Sequence, residues 1–162
     1  MAAPKILCDT AGMDRKTWLA VRAHGPDGSI PITIGGSDVA AIFGISPWKT
    51  PLDLWLEKSG KLLPNESENL WQKEIGHLLE PVVAKIYAFR TGHRVIPDTY
   101  LYQHALYPWA LANVDYSMED KDTKEAGGLE CKTTTYHNAD EWTDDKVPMH
   151  YEYPVSYTHL RA

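Results

Sequence analysis

The chain has 162 residues, 43% of them hydrophobic and 23% charged, which suits one folded domain and excludes a disordered one. A net charge of −6 argues against a protein that coats nucleic acid through a basic surface, but not against a nuclease built on clustered carboxylates and bound cations. No apolar run reaches membrane-span length and "MAAPKILCDTAGMDRK" lacks the apolar region of a signal peptide. The two cysteines, Cys8 and Cys131, make neither a disulfide framework nor a zinc pair, so the expectation is a cytoplasmic protein with no membrane partner.

In chain order, "MDRKTWLAVRAHG" (13–25) predicts a short amphipathic helix with Asp14 as N-cap and Gly25 past its end. "PDGSIPITIGG" (26–36) is a loop rich in breakers, and "SDVAAIFG" (37–44) predicts a second helix capped by Ser37. "SPWKTPLDLWLEKSG" (46–60) carries a full set of helix punctuation, with Thr50 as N-cap, Pro51 at the first helical position and Gly60 as stop. The longest periodic segment is 67–92, in which Trp71, Ile75, Leu78, Leu79, Val82, Val83 and Ile86 form one apolar stripe; Pro81 is expected to kink or divide it. "HRVIPD", "TYLYQH" and "WALANVDYSM" then read as strands, 119–128 as a polar turn and "LECKTTT" as the next strand. A short polar helix near "NADEW" and the Pro-bearing stretch "VPMHYEYP" follow. Helices followed by a run of strands predict an α+β or mixed α/β core around a central sheet.

The stretch "GGLECKTTT" (127–135) carries the chemistry. Residues two apart on a strand share a face, so Glu130 and Lys132 point out together while Leu129 and Cys131 point in. Glu-x-Lys alone is weak evidence and can be an ordinary surface ion pair; Glu119 and Lys121 match it too, inside the charged turn. Context separates the two matches. Asp115 lies on the preceding strand, and a hairpin would set it across from Glu130, with the backbone carbonyl near Cys131 between the carboxylates. Such an all-oxygen set suits Mg²⁺, which keeps several waters. Lys132 would stand beside one of those waters, its pKa lowered by nearby cations, to accept a proton or stabilise an oxyanion in phosphodiester hydrolysis. Elsewhere the seven histidines show no paired metal spacing, and His77 reads as a partly buried structural histidine. Trp18, Trp55, Trp71 and Trp109 read as core, Trp48 in the "SPWK" loop as the exception, and Cys131 as an inert core thiol.

Asp115 followed by Glu130-Cys131-Lys132 resembles the PD-(D/E)xK nuclease motif. Together with "IGGSDVAAIFGISPWKTPLDLWLEKSGKL", "GHLLEPVVAKIYAFRTGHRV" and "GGLECKTTTYHNADEW", it resembles the YqaJ-type viral recombinases, relatives of the phage lambda exonuclease, from about Trp18 to Tyr153. The resemblance implies a restriction-endonuclease-like core, a central mixed sheet flanked by helices, and a Mg²⁺-dependent exonuclease (Mn²⁺ as substitute). Such enzymes resect one strand of linear duplex DNA from its 5′ end, for annealing by a single-strand annealing protein. It further implies a homo-oligomer, in ring form, and a phage or prophage protein in a bacterial host. Asp115, Glu130, the Cys131 backbone carbonyl and Glu80 would be metal ligands, Lys132 the catalytic lysine, and Ser37 and Arg22 the ligands of the DNA 5′-phosphate. Two local features agree: Gly76, four residues before Glu80, leaves that helix surface bare for close approach, and a serine at a helix start suits an anion. "HGPDGSIPIT" reads as an insertion between Arg22 and the glycines. An endonuclease of the same superfamily and a catalytically inactive DNA-end-binding or assembly module remain as alternatives.

The whole of 1–162 reads as a single nuclease domain whose native-like part is about 14–153. Residues 155–162 resemble the translated end of a sequencing adapter, so the expectation is a chain truncated at its C-terminus, lacking final helices and strands.

Overall fold

The computed structural model describes residues 4–62, 70–133, 142 and 147–151. The expected helix start at 67–69, the "NADEW" helix save Trp142, the end of "LECKTTT" and residues 155–162 lie outside them. The architecture is α+β. In order it comprises β1 (Lys5–Asp9), α1 (Arg15–His24), α2 (Gly36–Ile42), α3 (Pro51–Lys58), α4 (Leu70–Thr91), β2 (Arg94–Pro97), β3 (Tyr100–Gln103), β4 (Leu111–Ala112), β5 (Tyr116–Glu119) and β6 (Ala126–Leu129).

Two antiparallel three-stranded sheets form, β1-β3-β4 and β2-β5-β6. They are two halves of one ribbon. The register of β2 on β5 continues into that of β3 on β4 with a slip of a single residue. At the slip, the Asp98 N–H donates to the Asp115 carbonyl at 3.1 Å and the Asn113 side chain to the Tyr100 carbonyl at 3.0 Å. β1 flanks this long hairpin on one side and β6 on the other. Among the described residues the paired strands are antiparallel, where a mixed sheet was expected, and the parallel contact is the isolated bridge Ile34–Ala110. The reason is connectivity: β3 and β4, and β5 and β6, are joined by short turns, which join only antiparallel neighbours. β1 was not anticipated, although "KILCD" pairs with β3 on either side of a bulge at Leu7.

Helix punctuation is obeyed. Asp14 accepts from Thr17 N–H at 3.0 Å to start α1, and Gly25, at φ 77°, ends it. Thr50 and Asp53 exchange hydrogen bonds across the first turn of α3. At α2 the cap lies earlier than expected. Gly35 holds the N-cap position, its N–H donating to the Asp38 carboxylate at 2.9 Å, which leaves the Ser37 hydroxyl for another partner. Pro81 sits inside a single uninterrupted α4; the missing N–H removes one bond, and the turns on either side carry the helix through.

The core is small: Val21, Leu101 and Leu111, with Leu7, Cys8, Met13 and Ile30 packed on it, joins α1 to β1, β3 and β4. The α4 stripe is not buried as its periodicity suggests, since Trp71, Leu78, Leu79, Val82 and Ile86 are exposed, as are Trp48, Trp55 and Trp109. The helix lies against β2, and Tyr87 donates to the Met118 sulfur at 3.2 Å, but its apolar stripe is wider than that contact. Amphipathic spacing says which face wants burial, not what covers it.

The 24–33 insertion is folded back on α1. The buried Thr33 hydroxyl lies 2.6 Å from the Arg22 carbonyl and 3.1 Å from that of Ala23, closing the end of the helix. Thr33→Val, which keeps the shape and strands those carbonyls, is expected to destabilise the chain by about 1–2 kcal/mol. Urea unfolding of both proteins checks this, and an unchanged midpoint would show that the clamp contributes nothing.

Candidate active site

β5 and β6 pair from Glu119–Ala126 to Tyr116–Leu129, so the next step of the register sets Asp115 across from Glu130. The expected strand "LECKTTT" begins earlier, at Ala126, and ends at Leu129. Gly128 eases this: a Cβ there would meet the Val114 side chain at 3.1 Å, and its absence lets the segment before β5 lie close to β6. Glu130, Cys131 and Lys132 thus project just beyond the paired strands, beside the slip in the ribbon that re-aims Asp115.

Three contacts define the site. The Cys131 N–H donates to Asp115 Oδ2 at 2.6 Å, tying the carboxylate to the 130–132 segment. Lys132 Nζ pairs with Glu130 Oε1, so these two side chains do share a side. Gly76 of α4 faces the same segment, with Thr133 Oγ1 3.9 Å from where its Cβ would be, and Glu80, one turn on, acts electrostatically on Asp115. His77 Nδ1 lies 3.6 Å from Glu80 Oε2, with 77% of the His77 side chain accessible; it is not the partly buried histidine expected. The i, i+3 spacing of His77 and Glu80 was the available signal for that pair.

The electrostatics follow from the crowding. Burial pushes the Asp115 carboxyl above its ordinary range, and Glu80 pushes the same way, against the Cys131 N–H, Lys132 and His77. The Cys131 thiol is raised to about 11, first by burial and then by Asp115, Glu80 and Glu130, which favours the neutral thiol. For Lys132, burial favours the neutral amine, but Glu130 above all, with Asp115 and Tyr151, outweighs it and the net shift is upward. The lowered lysine expected from the sequence assumed a cation; with carboxylates alone around it, the ammonium is favoured.

Among the described residues no group of three or more His, Cys, Asp or Glu side chains is gathered tightly enough to hold a metal. The donor chemistry nevertheless suits a hard cation. Asp115 and Glu80 repel one another in a partly buried place, which a divalent ion would relieve, and Mg²⁺ needs only one or two carboxylates beside its waters.

A second cluster forms at the start of α2. Arg22, on α1, donates from Nη2 to Ser37 Oγ at 3.1 Å, and its guanidinium lies 5.0 Å from the Trp18 ring centre. Gly35 lets it in: a Cβ there would stand 3.2 Å from Arg22 Nη2. Lys58 Nζ pairs with Asp38 at 2.7 Å beneath. The insertion therefore leaves Arg22 and Ser37 together, and Trp18 is the member of this cluster that the sequence reading assigned to the core. Two surface depressions, one along α1 and the 25–28 turn and one between α2 and α3, include none of Glu80, Asp115 and Glu130.

A family model described as "YqaJ-like viral recombinase domain" matches residues 17–158. The chain belongs to this YqaJ-like recombinase family. It is 37% identical over 147 residues to "Uncharacterized protein YqaJ" of Bacillus subtilis (strain 168), a match covering 91% of this chain and 42% of that protein. The chain thus spans less than half the length of this curated relative. No solved structure matches it. Membership places the chain with the viral recombinases. No helix among the described residues is long and apolar enough to cross a membrane.

Proposed function

We propose that this YqaJ-like chain is a Mg²⁺-dependent deoxyribonuclease that resects linear duplex DNA from 5′ ends, supplying single strands to an annealing protein. The observation that carries the reading is the convergence of Asp115, Glu80 and Lys132 on one segment, tied by the Cys131 N–H at 2.6 Å from Asp115. Asp115, Glu80, Glu130 and the Cys131 carbonyl would hold the metal. The metal supplies charge neutralisation at the phosphate and a more acidic water. Lys132 holds a positive charge where the phosphoryl oxygens gain negative charge, and Glu130 keeps its ammonium in place until DNA enters. The Arg22–Ser37 pair, beside the Trp18 ring, would take the 5′-phosphate and set the end of the strand.

The test is digestion of linear and closed-circular duplex with Mg²⁺ and with chelator. Metal-dependent loss of linear DNA only is the expected result; cutting of circles would make the chain an endonuclease. The present engagement of Glu130 by Lys132 favours, as second reading, a DNA-end-binding module without turnover, for which binding without cleavage would decide.

Ser37→Ala is expected to slow degradation of 5′-phosphorylated ends about tenfold while barely affecting 5′-hydroxyl ends, because one charge-assisted hydrogen bond is lost. Since Gly35 and Asp38 cap α2, the helix should survive the change. Equal slowing on both substrates would remove Ser37 from the phosphate site.

A further inference from the structure

We propose that Asp98 is a positioning residue for Asp115: its carboxylate pins the slip in the ribbon, so that its N–H fixes the backbone from which the Asp115 carboxylate reaches the metal. This rests on the nuclease reading above. Asp98 follows β2 directly and stands across from Asp115, one step past the Pro97–Tyr116 pair. There its N–H donates to the Asp115 carbonyl at 3.1 Å. From the other side the Cys131 N–H donates to Asp115 Oδ2 at 2.6 Å. Asp115 is thus held by its backbone from the end of β2 and by its carboxylate from the end of β6.

The Asp98 carboxylate is the hub of the slip. Its Oδ1 accepts from the Tyr100 N–H at 2.9 Å, closing a turn on its own backbone. Its Oδ2 accepts from the Tyr102 hydroxyl at 2.8 Å and from Ser117 Oγ at 2.5 Å. Tyr100 and Tyr102 belong to β3 and Ser117 to β5, so one side chain ties the two halves of the ribbon where their registers part. Thr99, next along, is anchored separately: its carbonyl accepts from the Thr10 N–H at 2.8 Å and from the Thr10 hydroxyl at 2.6 Å.

An ion held by few protein groups binds best when those groups are already aimed, because every side chain that must be ordered on binding weakens it. Slack in the slip would let the Asp115 backbone shift, and its carboxylate would have to be ordered again as the ion enters. Partners that hold a metal's ligands in place act on affinity in this way.

The test is calorimetric Mg²⁺ titration of the full chain, below the melting temperature that each variant shows in chelator. Asp98→Ala is expected to lower Mg²⁺ affinity about tenfold, and Ser117→Ala, which removes one donor, to lower it less. Asp98→Asn should recover most of the loss, since its amide oxygen can take the Tyr100 N–H and its amide N–H groups can donate to the two hydroxyls. In the weakened variants cleavage of linear duplex should return as Mg²⁺ is raised, because the groups that act on the phosphate are intact. Thr33→Val is the control for lost stability elsewhere: it should melt earlier and bind Mg²⁺ as the wild type does. Ser117→Ala, the milder change, carries the test if Asp98→Ala does not fold. Earlier melting with wild-type Mg²⁺ affinity makes Asp98 a structural staple, which overturns the positioning role and leaves the nuclease reading standing. A wild-type chain that binds no Mg²⁺ and cuts no linear duplex overturns both.

Discussion

Lys132→Ala is expected to slow Mg²⁺-supported cleavage of linear duplex by about 10²–10⁴-fold while leaving the affinity for Mg²⁺ nearly unchanged. The lysine is placed to meet charge that develops only as the phosphodiester breaks, so its removal acts on the transition state and not on the bound metal. Its side chain is 37% accessible and held by Glu130, so truncation removes no core packing. Lys121→Ala is the control. That residue also completes a Glu-x-Lys spacing, but it lies in the 120–125 turn, near Gly92 and away from Asp115. Its loss should leave the rate within about twofold, as surface changes away from a site do. Single-turnover kinetics on one labelled duplex compares the two variants, and equal losses would discard the site.

Asp115→Asn and Glu130→Gln should part company in stability, although both are expected to weaken Mg²⁺ binding by tenfold or more. The folded-state pKa of Asp115 is raised, by burial and then by Glu80, so its ionised form costs stability. That cost is absent below the unfolded carboxylate range and is complete once the pH has risen through the folded value. Asp115→Asn should therefore raise the metal-free melting temperature at pH 7, with the gain vanishing near pH 3. The amide oxygen can still accept from the Cys131 N–H, so the local tie survives. Glu130 is different, because it neutralises Lys132 at close range. Glu130→Gln should leave the melting temperature the same or lower. Calorimetric Mg²⁺ titration and thermal melts in chelator check both halves: unchanged metal affinity in both variants removes the ligand assignments, and a lower melting temperature for Asp115→Asn contradicts the crowded-carboxylate account.

Local signals alone determined much of this protein. The caps at Asp14 and Thr50, the stops at Gly25, Gly60 and Gly92, and the strand-like composition after α4 are decided within a few residues, where hydrogen-bond partners and allowed φ are chosen by the chain itself. The β5–β6 hairpin, whose register ends at Tyr116–Leu129 one step before Asp115 and Glu130, was likewise legible, because a polar turn between two strand-like runs sets which residues face each other. Tertiary structure decided the rest. That the strands make one slipped antiparallel ribbon, that β1 joins its edge and that Glu130 turns to Lys132 depend on neighbours remote in sequence. Arg22 reaches Ser37 where Thr33 folds the intervening loop back and Gly35 leaves room for the guanidinium. The apolar stripe of α4 and the indole of Trp48 are plain in the sequence, yet whether such surface is buried depends on what packs against it, and period and composition carry no record of that partner.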